Sequence, residues 1–192
     1  MILTHTVDGP GTSEYTHRAG SQYQAITLEY SYEEFVTFTA KTVAERTPVN
    51  ERSKIVEKIC DVHVYQTGFG FCAILMTEPG YDPLTAQQVL TKTVNEFRLK
   101  FTPEETKTKK APFSWPEVKK LRADAVTAEL TGIAAVNKEL DATKIVLHQT
   151  IQAVLERGEK LDTLVAKSDE LSGMSKGFYK TAKQQNSCCV VM

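Results

Sequence analysis

The chain has 192 residues, with 23 Lys and Arg against 24 Asp and Glu, for a formal net charge of -1. That balance leaves no large basic surface to neutralise phosphates, which argues against a nucleic-acid binder. Hydrophobic residues make up 41%, ordinary for a folded protein, and the length holds one globular domain plus an extended segment but less than two full domains.

In chain order, residues 1–30 are rich in Gly, Ser and Thr, with a loop-like Asp8-Gly9-Pro10-Gly11 and a best strand candidate at residues 24–28. The start, Met1-Ile2-Leu3-Thr4-His5, has too little apolar content for a secretory signal peptide. Ser31 followed by Glu33 and Glu34 offers an N-cap with acids in the first turn, and Phe35, Phe38, Thr39, Thr42 and Val43 follow at helical spacing, predicting a helix that ends before Pro48. From Lys54 the pattern changes. Ile55, Ile59, Val62, Val64 and Tyr65 are β-branched or aromatic, and residues 69–76 form a second such run after a turn at Thr67-Gly68, which together predict a β-hairpin. Residues 83–101 carry Leu84, Val89, Leu90, Val94, Phe97 and Phe101 on a helical repeat, and 103–116 are a polar loop. A compact module of strands flanked by helices is therefore expected to end between Trp115 and about Ala125.

After Pro116 there is no further proline, and one stripe runs to the tail: Ile133, Val136, Leu140, Thr143, Leu147, Thr150, Val154, Arg157, Leu161, Leu164, Ser168, Leu171, Ser175, Phe178, Ala182 and Gln185. Alternating steps of three and four average 3.5 residues, so these side chains form a narrow coiled-coil seam that needs partner helices. Gly132, Gly158, Gly173 and Gly177 each cost a helix roughly 1 kcal/mol relative to alanine, so the segment 126–187 without partners is expected to be disordered or loosely folded back. Arg157 is the exception on the seam. Ten of the other 15 positions are Ile, Val, Leu, Phe or Ala, which fits a polar layer that fixes register better than a snorkelling surface arginine.

The chain closes on Cys188-Cys189-Val190-Val191-Met192. Cys189 begins a C-a-a-X pattern with Met last, the substrate of a farnesylating prenyltransferase. One isoprenoid holds a membrane only weakly, so Cys188 is the natural acceptor of a second lipid, palmitate or another prenyl group. No apolar run approaches the ~18 residues of a transmembrane helix, so a covalent lipid would be the membrane anchor.

The run Val154-Leu155-Glu156-Arg157-Gly158-Glu159-Lys160-Leu161-Asp162-Thr163-Leu164-Val165 resembles the central signature of R-SNAREs, the synaptobrevin-type membrane-fusion proteins. Leu140-Asp141-Ala142-Thr143-Lys144-Ile145-Val146-Leu147-His148 and the stretch from Phe178 to Cys189 narrow the likeness to the lipid-anchored longin R-SNAREs. The resemblance implies an α+β fold: a profilin-like longin domain over 1–125, a small sheet with flanking helices, followed by a long coiled-coil R-SNARE motif over 126–185 (core about 133–185) and a lipidated tail over 186–192. It implies a parallel four-helix bundle in which Arg157 faces three glutamines, one from each Q-SNARE helix (Qa, Qb and Qc), and drives vesicle docking and fusion. It also implies a closed form in which Phe38, with Phe35, docks the SNARE motif on the longin domain. The cytosol and the cytoplasmic faces of Golgi, vesicle and endosomal membranes would be its locations.

Other chemistry finds little support. There is no G-x-x-x-x-G-K-[ST] loop, and Asn137-Lys138-Glu139-Leu140-Asp141 is one residue too long for a guanine-binding Asn-Lys-x-Asp. His5, His17, His63 and His148 are scattered, so no metal site, catalytic residue or cofactor other than the covalent lipids is expected. Cys60 and Cys72 read as reduced, buried strand residues, and Asp61 with His63 as a surface ion pair. The alternative is a prenylated coiled-coil tethering adaptor without fusion activity, which would tolerate Arg157→Ala.

Overall fold

The computed structural model describes residues 2–6, 22–101, 144–169, 171–177 and 179–180. The elements in order are β1 (Ile2–Thr6), α1 (Gln22–Arg46), β2 (Arg52–Val56), β3 (Asp61–Gln66), β4 (Cys72–Thr77), α2 (Pro83–Lys100), β5 (Ile145–His148), a 3-10 turn (Ile151–Ala153) and α3 (Leu161–Lys167). A last helical stretch holds residues 173–177 and 179–180. The sheet runs β1-β4-β3-β2-β5. Its central strands are antiparallel, with Ile55 opposite Val62 and Val62 opposite Met76, and both edges are parallel, Ile2 beside Cys72 and Arg52 beside Ile145.

Strand alternation divides the core in two. Ile55, Val62, Val64, Ile74 and Met76 meet Phe35, Phe38, Ala40 and Val43 of α1, while Ala73 and Leu75 on the opposite face meet Ala86, Val89, Leu90 and Val94 of α2. Full burial of each such aliphatic side chain contributes about 1.5–3 kcal/mol. The sheet is thus covered by a helix on each face, as an α+β module requires.

Four expectations are corrected. Residues 24–28 are helical, and the first strand is Ile2–Thr6. With no Gly or Pro between Gln22 and Arg46, extending an existing helix is easier than nucleating one, so Ser31 lies inside α1 instead of capping it. The helix does stop before Pro48, with Thr47 donating from its backbone and side chain to Val43 O. The expected hairpin is a three-stranded meander: Glu57 N–H donates to Cys60 O at 3.0 Å, a tight turn that splits the first run without any Gly or Pro to mark it. Asp61 and His63 are buried and do not pair with each other. Asp61 Oδ2 accepts from Lys54 Nζ at 2.8 Å and Gly80 N–H at 2.9 Å, and His63 Nε2 lies 3.2 Å from Thr77 Oγ1.

Residues 83–101 form the predicted helix almost to the residue. Asp82 caps it, accepting from Thr85 N–H at 2.7 Å with Pro83 in the first turn, and Phe101 N–H closes it on Phe97 O. The hydrogen bonds from Thr85 hold the Asp82 carboxyl below its ordinary range. Cys60 and Cys72 are both buried and free of disulfides, their thiols pushed up to about 12 by desolvation, though Cys60 sits just before β3 and not within a strand. The loop 103–116 and the expected domain end lie outside the described residues. No described helix is long and apolar enough to cross a membrane.

Candidate functional site

The stripe of 3-4 spacing does not form one helix in the lone chain. Among the described residues it runs as strand β5, a 3-10 turn, a β-turn and short helices, folded back across the α1 face of the sheet. The physical reason is the one its composition predicts: without partner helices a seam of this kind has no burial to offset its glycines, and the longin-like core supplies burial instead.

Contact begins at β5, which extends the sheet beside β2. Glu57 then accepts the Ile151 N–H at 2.7 Å, and the Ile151 side chain is 2% exposed within the same core as Phe35 and Val62. The central turn follows. Glu159 N–H donates to Glu156 O at 3.0 Å, Glu156 N–H donates to Glu159 Oε2 at 3.0 Å, and Gly158 adopts φ 94°, a conformation that disfavours any Cβ. Arg46 at the end of α1 clasps this turn with a fork, Nε to Glu159 Oε2 at 2.8 Å and NH2 to Oε1 at 2.9 Å. The guanidinium lowers the Glu159 carboxyl to about 2, and the carboxylate in return raises Arg46. Gln152 ties the far side, donating to Glu159 O at 2.9 Å and accepting Leu161 N–H at 3.1 Å.

Toward the end of the described chain, Val165 of α3 is buried in the core. Glu34 of α1 then receives Ser172 N–H at 2.8 Å and the Ser175 hydroxyl at 2.5 Å, so a carboxylate from the other element caps the last helical stretch. Those bonds, the Ser175 hydroxyl first, hold Glu34 below its ordinary range. Tyr179 seats its ring between Phe35, at 4.7 Å between centroids, and Phe38, edge-on at 5.4 Å. Its hydroxyl bonds to Thr39 Oγ1 in the interior, and burial pushes its acidity well below that of an ordinary tyrosine.

Of the seam residues, Leu171 and Ser175 are buried, Val154, Leu161, Leu164 and Ser168 are half-buried, and Leu147, Thr150 and Arg157 are exposed. Ile133, Val136, Leu140, Thr143, Phe178, Ala182, Gln185, Cys188 and Cys189 lie outside the described residues. Sequence reasoning missed Ile151, Val165 and Tyr179, and with them Glu34, Arg46 and Glu159. The available signal was that three large apolar side chains stand off the seam, where a coiled coil alone gives them no cover. Among the described residues no group of His, Cys, Asp or Glu could hold a metal ion. What the arrangement does is hold part of the stripe against α1 and the sheet.

Two family models match the chain: one described as Synaptobrevin over residues 132–190, and one described as the regulated-SNARE-like Longin domain over 21–120. The "Synaptobrevin homolog YKT6" of Saccharomyces cerevisiae is 41% identical over 169 residues, covering 83% of this chain and 82% of that protein. The "Synaptobrevin homolog ykt6" of Schizosaccharomyces pombe is 40% identical over 159 residues, covering 82% and 81%. The "VAMP-like protein YKT61" of Arabidopsis thaliana is 38% identical over 164 residues, covering 84% and 82%.

Proposed function

Because the chain belongs to the longin-type R-SNAREs of the synaptobrevin superfamily, with a role in vesicle trafficking and with other SNARE proteins as partners, we propose that it drives membrane fusion by zippering with three Q-SNARE helices. In the bundle, Arg157 meets one glutamine each from a Qa, a Qb and a Qc helix. The guanidinium carries five donors in a planar fork, so three amide oxygens in one layer satisfy it where a single acceptor does not. A helix over the core of about 133–185 spans roughly 80 Å at ~1.5 Å per residue, and its assembly toward the tail draws the two membranes together.

The lone chain is the autoinhibited state. The observation that carries this reading is the central turn: Arg157 stands exposed at a bend held by Gly158 and by the Arg46 clasp on Glu159, a geometry incompatible with a continuous helix through the same residues. Phe35 and Phe38, gripping Tyr179, are the aromatic dock. Farnesyl on Cys189, added by a prenyltransferase, and a second lipid on Cys188 provide a reversible anchor, so the protein partitions between cytosol and the cytoplasmic faces of Golgi, vesicle and endosomal membranes.

The test is assembly of the unlipidated chain with three Q-SNARE helices, followed by size exclusion and thermal melting. A stoichiometric helical complex whose melting distinguishes Arg157 from Arg157→Ala supports the proposal, and failure with several helix sets defeats it. In cells, Cys188→Ser with Cys189→Ser should move the protein wholly to the soluble fraction. An unchanged membrane fraction would remove the lipid anchor from the account.

A further inference from the structure

We infer that the SNARE motif carries two recognition codes in one heptad register: the seam for assembly, and the line of residues beside it, Ile151, Gly158, Val165, Ser172 and Tyr179, for the longin domain. This rests on the closed-form reading above and adds to it which side of the motif is recognised. Take Leu147, Val154, Leu161, Ser168 and Ser175 as a positions and Thr150, Arg157, Leu164 and Leu171 as d positions. The residue following each d is e, and the five named residues are consecutive e positions, seven apart.

Each of the five does something in the folded-back chain. Ile151 is 2% exposed, and its N–H bonds to Glu57. Gly158 supplies the positive φ of the central turn. Val165 is buried in the common core. Ser172 donates its N–H to Glu34, and its hydroxyl oxygen accepts the Ser175 N–H at the start of the last helical stretch. Tyr179 fills the aromatic dock. The opposite flank of the seam behaves otherwise: the g positions Ala153, Lys160, Lys167 and Met174 are all exposed. Within the seam, full burial is confined to Leu171 and Ser175, Val154, Leu161 and Leu164 pack half-buried against the core, and Leu147, Thr150 and Arg157 face solvent.

The seven-residue spacing is the decisive point. A chain that passes through a strand, a 3-10 turn, a β-turn and short helices imposes no such repeat on the residues that touch its dock. The repeat belongs to the coiled-coil state, where it gathers the longin contacts that lie off the a/d layers onto one flank and leaves the other flank exposed. The placement of Gly158 agrees, since glycine weakens a helix but here is required by the bend and meets nothing within 4 Å where a Cβ would stand. One sequence thereby specifies two states whose contact sets share part of the seam and differ on its flank. They overlap at Leu171 and Ser175 among the buried positions and at Val154, Leu161 and Leu164 among the half-buried ones.

The test uses the full unlipidated chain with four variants: Val165→Gln with Tyr179→Gln, Gly158→Ala, Leu147→Gln on the exposed seam, and Met174→Gln on the exposed flank. Amide hydrogen exchange over 144–180 reads the closed state, and the melting midpoint of the complex with a Q-SNARE set that accepts the wild type reads assembly. The e-line double variant should exchange at least about tenfold faster while its complex melts within about 3 °C of wild type. Gly158→Ala should exchange faster and melt higher in complex. Leu147→Gln should leave exchange within about twofold and melt lower, and Met174→Gln should change neither. If the e-line variant lowers the complex midpoint as far as Leu147→Gln does, or Leu147→Gln accelerates exchange as much as the e-line variant, the two codes are not separate. Wild-type exchange over 144–180 at the free-chain rate would instead remove the closed form itself, and this inference with it.

Discussion

Tyr179 and Thr39 form the contact whose energetics can be taken furthest. Tyr179 is 8% exposed, its ring tilted against Phe35 and edge-on to Phe38, and its hydroxyl shares a hydrogen bond with Thr39 inside the core. Tyr179→Ala removes a buried aromatic body, a change that costs about 3–5 kcal/mol in a rigid core. The last helical stretch can swing away in place of leaving a cavity, so the lower end, about 3 kcal/mol, is the better figure for undocking. At 1.4 kcal/mol per factor of ten, the undocked population rises on the order of a hundredfold. Tyr179→Phe keeps the ring contacts and loses the hydroxyl, while Thr39→Val keeps the shape and strands the phenol. Each should cost about 1–2 kcal/mol. The double variant should cost less than the sum, because replacing both partners by apolar groups leaves no buried polar atom unpaired. Amide exchange at residues 161–180, measured for all four chains, reads these free energies directly. Exchange of Tyr179→Ala within twofold of wild type, or strict additivity in the cycle, would refute the reasoning.

The remaining predictions concern charge. His63 is buried as the neutral ring and protonates at about 4 instead of 6.5, chiefly through desolvation. As pH falls below about 6.5 the unfolded chain takes up the proton first, so stability present above 6.5 declines by about 3 kcal/mol by pH 4 and is flat below. Urea melts at pH 7 and 4.5 should show this loss, and His63→Gln should flatten it even if it is less stable throughout. Glu159 has the opposite chemistry: its carboxyl, at about 2 against 4.5, stabilises the clasp at all pH above 4.5 and ceases to do so as pH falls through 2. Protection of the 154–161 amides should follow that window and lose its dependence in Glu159→Gln. Arg157→Ala should alter the stability of the lone chain by less than about 0.5 kcal/mol by thermal melting, because the side chain stands exposed at the turn, while changing the melting of the assembled complex.

How far the sequence can be read differs from element to element, and for physical reasons. Helix α2 announces itself with Asp82, Pro83 and a clean apolar repeat because local signals and packing agree. The Glu57–Cys60 turn does not, since ordinary residues make it and only strand pairing demands it. The start of α1 was hidden by Ser31, a residue equally at home as a cap and inside a helix that has already begun. Phe35 and Phe38 were legible as one face of a helix, and only the resemblance gave them a dock. In the structure they are buried against the sheet and in contact with Tyr179. Arg46 and Glu159, 113 residues apart, could not be paired by any local rule, and a surface arginine beside a glutamate is too common to single out.

The 3.5-residue period explains why the C-terminal third was legible for function and illegible for its lone-chain structure. Periodicity reports the state in which a segment repeats its environment, and only the partnered bundle does that. The folded-back state sets each contact residue against a different surface, and the seven-residue line that includes Ile151, Val165 and Tyr179 lies beside the stronger period of the seam and is masked by it. What it leaves are residues that the partnered state does not need: Ile151, Val165 and Tyr179 off the seam, and Gly158 in mid-helix. Such residues are locally inconsistent with the dominant reading, and in a chain with a single structure they would be errors. Here each resolves into a contact or a bend of the alternative state. A side chain that spoils one fold without evident gain is therefore the place to look for a second.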